Sequence, residues 1–156
     1  MMNILKPIFL LALLTTNLLL NVSFANQGTQ VSAQDGYVRE TIPGTNISSA
    51  YMTLNNATSK NRRLISAASP VSERVEIHEH IMKDGMMRMR QRDSVEILAN
   101  DSTVFQPSGY HLMIFDLKQP LKAGETIIIT LYFDDESSID VNYQVKGLKQ
   151  KQHHHH

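Results

Sequence analysis

The chain has 156 residues, with Lys+Arg 15 against Asp+Glu 15 and no cysteine. Balanced charge argues against a nucleic-acid partner, whose binding needs clustered positive charge. Without cysteine there is no disulfide, no thiol redox catalysis and no thiolate metal site, so packing alone must hold the fold.

The first residues read as a secretory signal peptide. Lys6 supplies the positive region, Ile8 to Leu20 an apolar run, and Ser23-Phe24-Ala25 the small residues before a cut after Ala25. The apolar run is too short for a membrane span, so no stable membrane insertion is expected. No cysteine follows the cut to carry a lipid. Residues 26–147 are then expected to form one domain with room for a real core, and residues 148–156 a histidine-rich tail.

The domain reads as short strands punctuated by turns. Asp35–Glu40 is the first, ended by Ile42-Pro43-Gly44, and Ser48–Asn55 and Arg63–Ala68 flank the polar turn Asn56–Lys60. Arg74–Glu79, Gly85–Arg92, Val95–Ala99, Thr103–Phe105 and Tyr110–Leu117 follow. The clearest alternation comes last. In Glu125–Phe133 and Ile139–Val145, apolar residues recur at every second position around the loop Asp134–Ser138, the pattern of strands with one buried face. Such spacing points to an antiparallel sandwich or barrel.

Soft-metal chemistry is concentrated between His78 and Met113. This stretch holds His78, His80 and His111, the three histidines outside the tail, and Met82, Met86, Met87, Met89 and Met113, five of the eight methionines. His111 and Met113 are two apart on a strand, so their side chains leave one face; Leu112 and Ile114 take the core face, which leaves the pair outward or on a rim. His78 follows Val75 and Ile77, toward the core at a strand end. Met87 and Met89 share one face of their strand, Arg88, Arg90 and Arg92 the wet one. If these strands meet at one end, His78, Met89, His111 and Met113 converge. Two imidazoles and two thioethers suit Cu(I), not Mg²⁺ or Ca²⁺, and zinc sites seldom use methionine. Taken singly, each residue is more often an ordinary surface ring or a flexible core filler than a ligand, and Met52 is expected to be a core filler.

The spacing His78, ten residues, Met89, twenty-one residues, His111-x-Met113 resembles the H-x10-M-x21-H-x-M signature of the periplasmic copper chaperone family written PCuAC. Gly85-Met86-Met87-Arg88-Met89, Pro107-Ser108-Gly109-Tyr110-His111-Leu112-Met113, Pro120-Leu121-Lys122-Ala123-Gly124 and Ser49-Ala50-Tyr51-Met52 are similar too, up to about Gly147. Ser108 departs from the pattern, where many members carry a second glycine. The resemblance implies an all-β, cupredoxin-like Greek-key sandwich in the bacterial periplasm, and a monomer is expected. It also implies Cu(I) held by His78, Met89, His111 and Met113, for delivery toward the CuA centre of a cytochrome c oxidase subunit or another copper-assembly protein. His80, Met82, Met86 and Met87 take a supporting role around the metal or in packing.

No catalytic triad, phosphate loop or carboxylate pair stands out, so a binding and transfer protein is expected and not an enzyme. Sequestration for copper tolerance uses the same site. A copper redox protein is the third alternative, but blue-copper sites need a Cys thiolate. Arg88, Arg90 and Arg92 with Lys83 form a positive strip, either solvated or docked on an acidic acceptor. His153–His156 is either a purification tag or a native tail for Cu(II).

Overall fold

The alternation becomes ten β-strands and, among the described residues, no helix. The structure is a computed structural model describing residues 30–147; the expected leader, residues 26–29 and the tail lie outside the described residues. The strands are β1 (Val31–Arg39), β2 (Ser48–Asn56), β3 (Arg62–Ala68), β4 (Arg74–Lys83), β5 (Met86–Gln91), β6 (Val95–Ile97), β7 (Asp101–Phe105), β8 (Tyr110–Phe115), β9 (Thr126–Phe133) and β10 (Ser138–Lys146). Hydrogen bonds join them in the order β5-β4-β8-β7-β2-β1-β10-β9-β3-β6, with β8 also pairing β2.

This ladder folds over into two layers. β3 packs on β4, and β6 on β2 and β7, although none of these is bonded to the other. Between the layers lie Leu54, Leu64, Phe105, Leu112, Ile114, Ile129, Leu131 and Phe133, all buried, each contributing about 1.5–3 kcal/mol by leaving water. Neighbours distant in sequence, such as β4–β8 and β3–β9, are the crossovers of a Greek-key sandwich. The expected antiparallel pairing holds with two parallel exceptions, β1 along β10 and the single bridge Phe105↔Tyr110 between β7 and β8.

Most strand ends differ from the sequence expectation by one or two residues, and two differ by four, for local reasons. β1 begins at Val31, not Asp35, because a register shift between Gln34 and Tyr37 and a φ of 55° at Asp35 interrupt its alternation; a bulge of this kind hides a strand from period-two counting. β4 runs on to Lys83, not Glu79, because Asp84 and Gly85, with φ of 54° and 74°, form a two-residue turn of the type that Asp-Gly favours. Met52 is the core filler expected, 2% exposed, and its sulfur accepts the buried Tyr143 hydroxyl.

Candidate metal centre

The Asp84-Gly85 turn sets which side chains meet. Across β4 and β5 it pairs Met82 with Met87, His80 with Met89 and His78 with Gln91. On the other side of β4, His78 opposes His111 and Glu76 opposes Met113, and Ser49 of β2 opposes Met113 in turn. Residues directly opposite one another share a face and alternate ones return to it. Ile77, Leu112 and Ala50 form the core row between these rows. The histidines, Met89 and Met113 therefore stand together on the outer face of the β5-β4-β8-β2 layer.

That outer face is covered at its centre, which corrects the expectation of an outward or rim position for His111 and Met113. They are 2% and 8% exposed. The His80 ring stacks on His111 at 4.7 Å between centroids, with His78 at 5.9 Å and Tyr51 at 6.3 Å. Both faces of β8 are thus buried, one by the core and one by neighbouring side chains. His78 sits in mid-strand on this face and not at a strand end toward the core; it is buried, while Met89 is half exposed.

The hydrogen bonds fix which ring nitrogens are bare. His111 Nδ1 lies 3.1 Å from the Gly109 carbonyl, which only accepts, so this nitrogen carries the hydrogen. In the neutral ring Nε2 then keeps its lone pair, and it faces the Met89 sulfur at 3.3 Å. Burial favours that neutral ring, pulling the His111 pKa below its ordinary value against the opposing Gly109 bond, with the nearby His80 and His78 adding to the depression. His78 is arranged likewise. Its Nε2 is 2.8 Å from Glu76 Oε2, so in the neutral ring the other nitrogen, Nδ1, is bare; it is buried with no hydrogen-bond partner. Carboxylate, imidazole and an open lone pair in series is the usual orientation of a metal-binding histidine. Ser49 Oγ donates to the Met113 sulfur at 3.3 Å, holding that thioether in place.

These donors fit a soft monovalent ion. Two bare imidazole nitrogens and two thioethers are neutral and polarizable, and among the described residues no group of three or more His, Asp or Glu side chains is set to hold a metal without them. Sequence reasoning passed over Glu76, Ser49, Tyr51 and the Gly109 carbonyl, and gave His80 only a supporting part. Glu76 was accessible, being two residues before His78 on one strand face. The positive strip lies elsewhere: Arg88 opposes Ile81 and Arg90 opposes Glu79, on the reverse of the hairpin from Met89, and Arg92 pairs with Glu79 at 3.6 Å.

Comparison with known proteins agrees with this fold. A putative lipoprotein of Leifsonia xyli subsp. xyli is 32% identical over 106 residues, 67% of this chain and 64% of its own length. An uncharacterized protein of Rickettsia prowazekii (strain Madrid E) is 33% identical over 99 residues, 63% of this chain and 55% of its own length. The chain thus spans less than two thirds of both. The copper-bound PCuAC domain from PmoF2 superposes with a TM-score of 0.65 at 18% identity, covering 76% of this chain and 93% of that domain, which shows a shared fold. The solution structure of Cu(I)-DR1885 from Deinococcus radiodurans has a TM-score of 0.58 at 32% identity, over 78% of this chain and 81% of that one. The family described as "LpqE-like: Putative lipoprotein LpqE-like" matches residues 31–145, and the chain, built on the β-sandwich of PCuAC domains, belongs to it.

Proposed function

We propose that the protein is a copper chaperone of the bacterial cell envelope that binds one Cu(I) through His78, Met89, His111 and Met113. The observation that carries this reading is the approach of His111 Nε2 to the Met89 sulfur at 3.3 Å, with the ring hydrogen tied to Gly109 on the far side. With the hydrogen on Nδ1, two lone-pair donors face each other, and a soft, electron-poor ion is a partner that suits both. The 32% identity to DR1885, whose structure was solved with Cu(I), supports the choice of metal.

Four neutral donors leave the ion's single charge unchanged by binding, so an acceptor can replace them one at a time without separating charge. Met89, half exposed on β5, is the donor an acceptor reaches first. Delivery toward the CuA centre of cytochrome c oxidase, in the periplasm, is the role we assign. Sequestration remains the second reading, favoured by the burial of His111 and Met113, which slows release. The two separate in a deletion strain: lost oxidase activity restored by added copper supports delivery, whereas copper sensitivity with normal oxidase supports storage.

A further inference from the structure

The outer face does not end at Met89. One same-face row further along the hairpin, Met82 and Met87 oppose each other in register, beyond the pair His80 and Met89. Both are exposed, 66% and 55%, so neither fills a core, and exposed side chains of this size gain little by packing. His80 stands between the two regions in register. It stacks on His111 inward and stands two residues from Met82 on the same strand face; its Nδ1 is buried without a hydrogen-bond partner. Met86, paired with Lys83, belongs to the opposite face.

We propose that His80, Met82 and Met87 form a second, outer Cu(I) site, through which the ion enters and leaves the inner set. The proposal rests on the reading that the inner set binds Cu(I). Opposed residues on paired strands have Cβ atoms about 4.5–5.5 Å apart, and the three rotatable bonds of methionine let both sulfurs turn onto one ion. The imidazole supplies the third neutral donor. Movement between sites is ligand exchange: a bond to an outer donor forms as one to Met89 breaks, copper remains Cu(I), and no proton or electron is released. Exposure makes the outer site the weaker of the two and the faster to exchange.

The test is an anaerobic Cu(I) titration of the full chain carrying ¹³C-methyl methionine. His153–His156 are replaced by alanine so that the tail takes no metal. Methyl signals are assigned with single Met→Leu variants. The first equivalent is expected to move Met89 and Met113, and the second Met82 and Met87. Met82→Leu/Met87→Leu should lose the second equivalent and keep the first within about twofold, since exposed methionine-to-leucine changes preserve volume. His80→Gln should weaken the second equivalent, and Met86→Leu should change neither. Met82 and Met87 methyls unmoved through two equivalents, or moving in step with Met89 during the first, would overturn the outer site. A first equivalent that leaves Met89 and Met113 unmoved would instead overturn the inner one.

Discussion

At the scale of single residues, the site depends on groups that do not touch the metal. Glu76 orients His78 through its Nε2, and the Gly109 carbonyl accepts from both His111 Nδ1 and the His80 backbone N–H, so one loop oxygen aligns two strands and one ring. Partners of this kind are worth about 10–100-fold in metal affinity. Glu76→Gln should therefore weaken Cu(I) binding about tenfold or more while the melting temperature of the metal-free protein stays nearly constant. Chelator competition beside thermal unfolding checks it, and unchanged affinity would remove Glu76 from the account. Ser49→Ala should do less, because its hydroxyl makes only a weak bond to the Met113 sulfur.

At the scale of elements, the β4–β5 hairpin carries the argument. Its two-residue turn fixes a register in which a slip of one residue would send Met89, Met87 and Gln91 to the wrong face. Gly85 has a φ of 74° with open space where a side chain would sit, so the objection to a side chain there is conformational, about 1–2 kcal/mol. Gly85→Val should cost about that much stability and also loosen β5, visible as faster amide exchange at Met87–Arg90 and weaker Cu(I) binding. Retained protection across β5 would show that pairing with β4 alone holds the register. This is also where the sequence was hardest to read. Alternation located all ten strands, and the spacing from His78 to Met113 selected four candidate donors. Which strands lie side by side depends on long-range packing that no local pattern encodes. Hence the burial of His111 by His80 and Tyr51 was not visible, whereas alternation alone put the arginines on the face opposite Met87 and Met89. The Asp84-Gly85 pair was the one local clue to that geometry.

At the scale of the whole molecule, a domain without disulfides rests on its core and on a few buried polar anchors. Asn56, 2% exposed, shares its amide among the carbonyls of Lys60, Ile97 and Leu98 and accepts from Thr58, tying the β2–β3 turn to the end of β6. Asn56→Ala removes this shared link, although Lys60 and Leu98 keep bonds from Thr58 Oγ1 and the Asp101 N–H, and should cost about 1–3 kcal/mol, measured by denaturant unfolding; a loss under half of that would mean water replaces the amide. Burial pushes the Tyr143 hydroxyl well above its ordinary value of 10.0. The folded chain thus resists ionising a group that the unfolded chain ionises freely. Stability from this group is complete below about pH 10 and declines as pH rises above it. Tyr143→Phe should flatten that alkaline decline, and an unchanged pH profile would place its cause elsewhere.

The most direct measurement is an anaerobic competition titration of the protein with a Cu(I)-specific chelator, alongside Met89→Ala and Met113→Ala. One tight equivalent is expected in the parent protein, lost or strongly weakened in each variant while both remain folded by circular dichroism. Full Cu(I) affinity retained in both variants would contradict the four-residue site.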